Sequence, residues 1–138
     1  MQRDTCELVR GLRLADSFDD FQLDSEEDFL SETPREYLNR KLFEKRMNIS
    51  DVCKAAGLTK YCYKVFSQER TASRNTLLRI AVGMQLNLEE TQQLLRVHQM
   101  ARLDPRVRRD AALIFAVSKG FDLAHVQELL EKQGEETL

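Results

Sequence analysis

Two lysines and a tyrosine lie close together near the middle of the chain, in the stretch NISDVCKAAGLTKYCYKVF at residues 48–66. At 100° per residue, Lys60, Tyr61 and Lys64 share one arc of a helix, opposite an apolar arc. Exposed lysine can bind phosphate or a guanine edge, and tyrosine can contact a thymine methyl group or donate to phosphate. The pattern predicts a surface for a polyanion. The alternative at this point is an ordinary solvated helix face.

The charge of the 138-residue chain is unevenly distributed, although its net value is only −2. Residues 1–36 carry 4 basic and 11 acidic side chains, residues 37–72 carry 8 and 3, and residues 73–138 carry 9 and 9. The three segments therefore have net charges of −7, +5 and 0. Because the positive excess includes Lys60 and Lys64, we expect a polyanion to bind there if one binds at all.

The sequence contains little that indicates catalysis, cofactor binding or metal binding. No glycine-rich phosphate loop, HExxH motif or paired nucleophile and base is present. His98 and His125 stand alone in helical patterns, and the cysteines lack the spacing of metal ligands. We therefore expect no enzyme, no cofactor, no metal ion and no small-molecule substrate.

The sequence also predicts a cytoplasmic location. No apolar run is long enough for a membrane span, and the first twenty residues lack the apolar core of a secretory signal. In that setting, Cys6, Cys53 and Cys62 are expected to be reduced. Cys53 and Cys62 both fall on apolar arcs, so we expect them to pack in the core.

The elements that would position these side chains are helices, because apolar residues recur every three or four positions and no alternating pattern suggests strands. After a short helix at 4–14 and an acidic segment, TPRE at 33–36 predicts a helix that runs to about Arg46. Asn48 should begin a short helix that ends at Gly57.

The third helix should begin near Thr59, and Ser73 should cap a fourth. The predicted inward-facing residues are Tyr37, Leu38, Leu42 and Phe43 on the first helix, Ile49, Val52, Cys53 and Ala56 on the second, Cys62, Tyr63, Val65 and Phe66 on the third, and Leu77, Leu78, Ile80, Ala81 and Met84 on the fourth.

An internal repeat follows, since residues 75–95 align with residues 110–130 without a gap at a period of 35. Ile80 corresponds to Phe115 and Asn87 to Asp122, while Gln93 is matched with Gln127 one position out of step. Each copy predicts a helix, a tight turn and a second capped helix. Two copies are too few for a solenoid, so we expect one helical hairpin packed on its twin.

Residues 37–86 resemble the lambda-repressor-like helix-turn-helix family, also called the Cro/repressor or XRE type. The resemblance rests on the first helix, the hairpin ISDVCKAAGLTKYCYKVF with Gly57 at its turn, and the helix in TASRNTLLRIAVGMQL. It implies that the second helix of the hairpin enters the major groove while the first braces it across the backbone. The fold expected is an all-α helical bundle with a lambda-repressor-like helix-turn-helix domain and extra C-terminal helical hairpins.

The resemblance implies a sequence-specific regulator of transcription that binds double-stranded DNA as a homodimer. Because the helices beyond the DNA-binding set have more apolar positions than a minimal domain requires, we expect residues 88–134 to supply the dimer contact; the alternative is that the repeat packs only on itself and on the domain. The expected organisation is an acidic segment at 1–33, a DNA-binding domain at 34–86 and a helical extension at 87–138. The alternative is a helical protein-interaction module that has lost DNA binding. The expected DNA-binding residues are Thr59, Lys60, Tyr61, Lys64, Ser50 and Arg70.

Overall fold

The computed structural model describes residues 5–14, 32–58, 61–67 and 72–138. The chain divides into two compact units, residues 1–31 and residues 32–138. In the first unit the described element is helix α1, Thr5–Leu14, on which Val9, Leu12 and Leu14 are exposed.

The second unit is a helical bundle, which confirms the predicted all-α fold, and its described residues contain no strand. Its helices are α2 (Pro34–Lys45), α3 (Ile49–Ala55), α4 (Tyr61–Phe66), α5 (Arg74–Gly83), α6 (Leu88–Val97), α7 (Arg108–Ser118) and α8 (Leu123–Lys132).

Polar side chains fix where most of these helices begin. Each accepts a hydrogen bond from a backbone N–H in the first helical turn, a group that has no partner within the helix itself. Asn87 also forms a reciprocal capping box with Glu90, whose side chain accepts the backbone N–H of Asn87. The capping residues are Thr33, Asn48, Ser73, Asn87 and Asp122.

One turn recurs at three places in the described chain, at residues 46–48, 85–87 and 120–122. It consists of a residue with positive φ, an apolar residue and the cap of the next helix. The apolar residue's N–H returns to a carbonyl five positions earlier, which closes the preceding helix as a Schellman motif. These bonds join Met47 to Leu42, Leu86 to Ala81, and Phe121 to Ala116.

The core lies where α5 and α6 pack against α3 and α2. Helix α5 approaches α3 closely at Gly83, where an added Cβ would lie 2.9 Å from the backbone nitrogen of Ala56. Only a residue without a side chain fits there. The fully buried large side chains are Tyr37, Phe66, Leu38, Leu77, Leu78, Ile80, Met84, Leu94, Leu95, Leu113, Leu130 and Val52.

Two predicted core residues are exposed instead. Phe43 on α2 is 86% exposed, because the buried stripe of that helix ends at Leu42 and the inward position is taken by Lys41. Tyr63 on α4 is 48% exposed, because Cys62, Val65 and Phe66 already fill the inner arc of so short a helix.

The two copies of the repeat make the same contacts 35 residues apart. Arg74 donates from Nε to the carbonyl of Ala101, and Arg109 donates from Nε to that of Glu136, both at 2.9 Å. A glutamine in each copy exchanges two hydrogen bonds with the backbone of a leucine, Gln92 with Leu103 and Gln127 with Leu138. The equivalent of Gln127 is therefore Gln92, and not Gln93 as the sequence alignment proposed. We call residues 74–103 repeat 1 and residues 109–138 repeat 2.

The repeats contact each other reciprocally. Helix α5 of repeat 1 packs on α8 of repeat 2, and α6 of repeat 1 packs on α7 of repeat 2. Arg74 binds Asp110 while Arg109 binds Asn75, the residue equivalent to Asp110. This exchange is typical of two units related by an approximate two-fold axis, and it agrees with the predicted pairing of two hairpins.

Candidate nucleic-acid interface

Helices α3 and α4 are joined by a sharp turn that other elements hold in place. Gly57 has a φ of +65°, a conformation that side chains with a Cβ rarely adopt. Arg79 of α5 donates from Nε to the carbonyl of Ala56 at 3.0 Å and from Nη2 to that of Gly57 at 3.4 Å. The turn is thus fixed by a side chain outside the hairpin, as a rigid binding surface requires.

A disulfide between Cys53 and Cys62 links α3 to α4. Both residues are buried, as predicted, but the expectation that they are reduced is not met. The turn at Gly57 folds the apolar arcs of the two helices together, which leaves the two Cα atoms 5.8 Å apart, a separation typical of disulfides. Their sequence spacing gave no signal of this pairing, because the contact depends on how the hairpin closes.

Lys64 is exposed on α4, on the side away from the core. Cys62, Val65 and Phe66 are each at most 2% exposed, so the other side of the helix is firmly anchored. Of the predicted DNA-binding residues, Ser50 is half-buried in the first turn of α3. Thr59, Lys60 and Arg70, and the side chain of Tyr61, lie outside the described residues.

An open cleft of about 380 Å³ adjoins Lys64. Its wall includes Arg35 and Asn39 from the exposed side of α2, together with Tyr63 and Ser67. Guanidinium, ammonium, amide and hydroxyl groups all donate hydrogen bonds to phosphate oxygens. Arg35 and Asn39 were not predicted as binding residues, although their spacing of four residues places both on one polar face of the helix.

Much of the predicted positive excess is neutralised within the fold. Lys41 and Lys45 of α2 bind the carboxylate of Glu90 at 2.8 and 3.0 Å. Burial opposes ionisation of Glu90, but the hydrogen bonds from the Asn87 N–H and the two lysines outweigh it and lower its pKa to about 2. Arg40 binds Glu32 and Glu44. These cations are already paired with carboxylates, so a negatively charged ligand would have to compete for them.

Arg35 and Lys64 differ from those cations, because neither forms an ion pair with any residue that the structure describes. Both are exposed. As far as the described residues are concerned, a ligand with negative charge can therefore reach them without first displacing a carboxylate. Arg35 thus differs from the other basic residues of α2, which are paired with carboxylates.

The described part of the chain contains no group of three side chains placed to hold a metal ion. Among the described residues, no helix has both the length and the apolar character to cross a membrane. Comparisons with models of protein families, with curated proteins and with solved structures find no match to this chain.

Proposed function

We propose that the chain binds duplex DNA, with α4 in the major groove and α3 bracing it against the phosphate backbone. The observation that carries the proposal is the exposure of Lys64, which pairs with no carboxylate among the described residues. It lies on a six-residue helix whose other side is fixed by the core and by the Cys53–Cys62 link. A rigid support under an exposed basic residue suits groove reading, because base contacts need well-defined side-chain positions.

We propose that residues of α4 contact the bases and that residues of α2 and α3 contact the phosphate backbone. Lys64 contacts a guanine edge or a phosphate, with Lys60 and Tyr61 beside it on the same sequence arc. Arg35 and Asn39 hold a backbone phosphate in the cleft next to α4, and Ser50 supplies a hydroxyl from the first turn of α3. We further propose that this binding regulates transcription, and that the protein acts as a homodimer.

Duplex binding measured by fluorescence anisotropy at two salt concentrations tests the proposal. The wild-type protein should bind more weakly at higher salt, because each phosphate contact releases a counterion. Lys64→Ala and Arg35→Ala should each weaken binding by about tenfold, the effect of losing roughly 1.4 kcal/mol. Each should also reduce the salt slope by about one phosphate contact.

The matched control is Lys132→Ala, which removes an equally basic exposed residue from α8, where it pairs with Glu128. This variant should bind duplex like the wild type. If the wild-type protein shows no salt-sensitive duplex binding, the proposal is wrong, and the alternative of a helical protein-interaction module is favoured. If the wild type binds duplex but all three variants bind it with the wild-type affinity, the DNA-binding surface lies elsewhere than on α4.

A further inference from the structure

The first helix of repeat 1 has another helix packed on its outer side. Helix α3 lies on α5, where Arg79 donates from Nε to the carbonyl of Ala56. Gly83, one turn further along α5, lies against the backbone of Val52 and Ala56. Ile80, between these two positions, is 0% exposed. This side of the first hairpin is therefore covered by a helix.

The equivalent side of repeat 2 is uncovered. Its residues lie 35 positions later, on α7 or just before it. Phe115 is 49% exposed where Ile80 is 0% exposed, and Val107 is 49% exposed where Ala72 is 3% exposed. Ser118, at the position of the buried glycine of α5, is exposed. The same hairpin surface is thus buried under a helix in repeat 1 and exposed in repeat 2.

A cleft of about 330 Å³ adjoins this uncovered side at the end of α7. Ser118, Lys119 and Phe121 are among the residues that line it. The counterpart of Ser118 is Gly83, at which the backbone of α3 contacts α5 in repeat 1. Repeat 2 therefore has a depression next to the position at which repeat 1 accommodates another helix.

Two cations flank the apolar part of this surface. Because 11 residues make about three helical turns, Arg108 and Lys119 lie on the same side of α7 as Phe115, about 16 Å apart along its axis. Both are exposed, and neither forms an ion pair with a residue that the structure describes. The Lys119 ammonium lies 5.7 Å from the centre of the Phe115 ring. We call Val107, Arg108, Phe115, Ser118 and Lys119 the α7 face.

The α7 face itself contains two cations and no carboxylate. The aspartates nearest to these cations in the sequence each accept a hydrogen bond within the fold. The pairs are Asp104 with Arg106, Asp110 with Arg74, and Asp122 with the backbone N–H of His125. The charge that Arg108 and Lys119 lack is therefore negative charge from outside the described fold.

We propose that the α7 face binds an acidic amphipathic α-helix of a partner protein. A helix is the shape that this surface fits, because the equivalent surface of repeat 1 already holds one. The apolar stripe of the partner helix covers Val107 and Phe115, and a small residue lies against Ser118. Glutamate or aspartate at either end of that stripe pairs with Arg108 and Lys119.

Other occupants match the α7 face less well. Duplex DNA offers phosphates to the two cations but no apolar stripe to cover Phe115 and Val107. A second copy of this chain, docked through the same face, would bring two further cations to Arg108 and Lys119, and like charges repel. The inference goes beyond the proposed binding of duplex DNA and does not depend on it.

A synthetic peptide tests the proposal. The probe is a fluorescein-labelled, hydrocarbon-stapled helix of about 14 residues, with leucine and alanine along one stripe and glutamate at both ends of that stripe. Fluorescence anisotropy with the full chain should show saturable binding in the micromolar range. Phe115→Ala should weaken binding at least tenfold, as expected for an aromatic residue at the centre of a contact. Phe43→Ala is the matched control, because Phe43 is more exposed but lies on α2, and it should bind like the wild type.

Exchanging the charges gives a second readout. A chain with both Arg108→Glu and Lys119→Glu should bind the glutamate peptide at least tenfold more weakly than the wild type does. It should bind the same peptide with lysine in place of glutamate more tightly than the wild type does, because the charges are again complementary. Lys132→Glu, at an exposed position of α8, should leave the affinity for both peptides nearly unchanged. Circular dichroism melting confirms that each variant is folded.

Three results would overturn the proposal. The wild type binds neither peptide saturably below millimolar concentrations, or it binds both peptides equally well, or Phe115→Ala binds the glutamate peptide as tightly as the wild type. In the first case, duplex binding and sedimentation of the same variants identify the occupant. Loss of duplex binding on charge reversal would assign the α7 face to nucleic acid, and loss of self-association in Phe115→Ala would assign it to a second copy. Peptide binding without duplex binding supports the α7 face and contradicts the proposed function alone.

Discussion

The guanidinium of Arg74 binds both carboxylate oxygens of Asp110, with Nη1–Oδ1 and Nη2–Oδ2 distances of 3.1 and 3.0 Å. The same carboxylate accepts the N–H of Asp104. Burial disfavours the charged form of Asp110, yet these hydrogen bonds keep its pKa below the usual value. One ion pair therefore joins the start of repeat 1 to the start of repeat 2 and orders the connection between them.

Replacing Asp110 by alanine should be strongly destabilising. The substitution leaves the Arg74 guanidinium without its carboxylate partner and the Asp104 N–H without its acceptor, so we expect a loss of about 2–4 kcal/mol in the free energy of unfolding. Asn75→Ala at the equivalent position removes one amide contact with Arg109 and should cost under about 1 kcal/mol. Urea unfolding measures both, and equal losses would contradict this view of the pair.

Glu90 should make stability depend on acid pH. Its pKa falls from 4.5 to about 2 in the folded chain, so its stabilising effect is complete above pH 4.5 and disappears as pH falls towards 2. Glu90→Gln keeps the side chain's size and its cap on α6, but removes the charge that Lys41 and Lys45 share. The variant should lose about 1–3 kcal/mol near neutral pH.

The measurement for Glu90 is the free energy of unfolding of both proteins between pH 6 and pH 2. The two curves should converge as the pH falls, because the wild-type carboxylate becomes protonated. Glu89→Gln, on the exposed side of the same helix turn, serves as the control and should follow the wild type. A constant difference across the pH range would show that the charge of Glu90 is not responsible.

Gly83→Ala should loosen the contact between α5 and α3. The new Cβ would lie 2.9 Å from the Ala56 nitrogen and 3.0 Å from the Val52 carbonyl oxygen, and backbone atoms cannot rotate away as side chains do. We expect a cost of about 1–3 kcal/mol in thermal or urea unfolding. The equivalent substitution in repeat 2, Ser118→Ala, changes an exposed residue and should lie within about 0.5 kcal/mol of the wild type. If Gly83→Ala leaves the free energy of unfolding unchanged, α5 and α3 can move apart at little cost.

Counting thiols checks the Cys53–Cys62 disulfide. Cys6 is free and exposed, so one thiol should react in the native protein, and still only one after denaturation without reductant. Reduction should lower stability by about 2–3 kcal/mol, as expected for a closed loop of this length. Three reactive thiols in the unreduced, denatured chain would disprove the link.

The sequence was sufficient for features that depend on local patterns. Caps at Thr33, Asn48 and Ser73 are visible as residue types, and a period of 35 is visible by alignment. Helical periodicity also identified the fully buried residues of α5. Each of these signals arises within a few turns of one helix, or from two segments that resemble each other.

Features that depend on the approach of distant segments were not predictable in this way. The periodicity of α2 placed Phe43 inside, whereas the pairing of Lys41 with a glutamate 49 residues away makes a lysine the buried residue. The contribution of Arg35 and Asn39 to the cleft beside Lys64 depends on how α2 crosses α4. The disulfide likewise depends on how the hairpin closes. Contacts between helices that are distant in the sequence produce no periodic pattern of apolar residues.

The turn shared by residues 46–48, 85–87 and 120–122 has a consequence for how the chain reaches its fold. At 85–87 and 120–122 the two helices that the turn connects pack on each other, so each pair meets without a long loop having to close. Proteins dominated by such short-range contacts fold in microseconds to milliseconds. Repeat 2 can therefore complete its own hairpin from local contacts, whereas the pairing of Arg74 with Asp110 requires a loop of 36 residues to close.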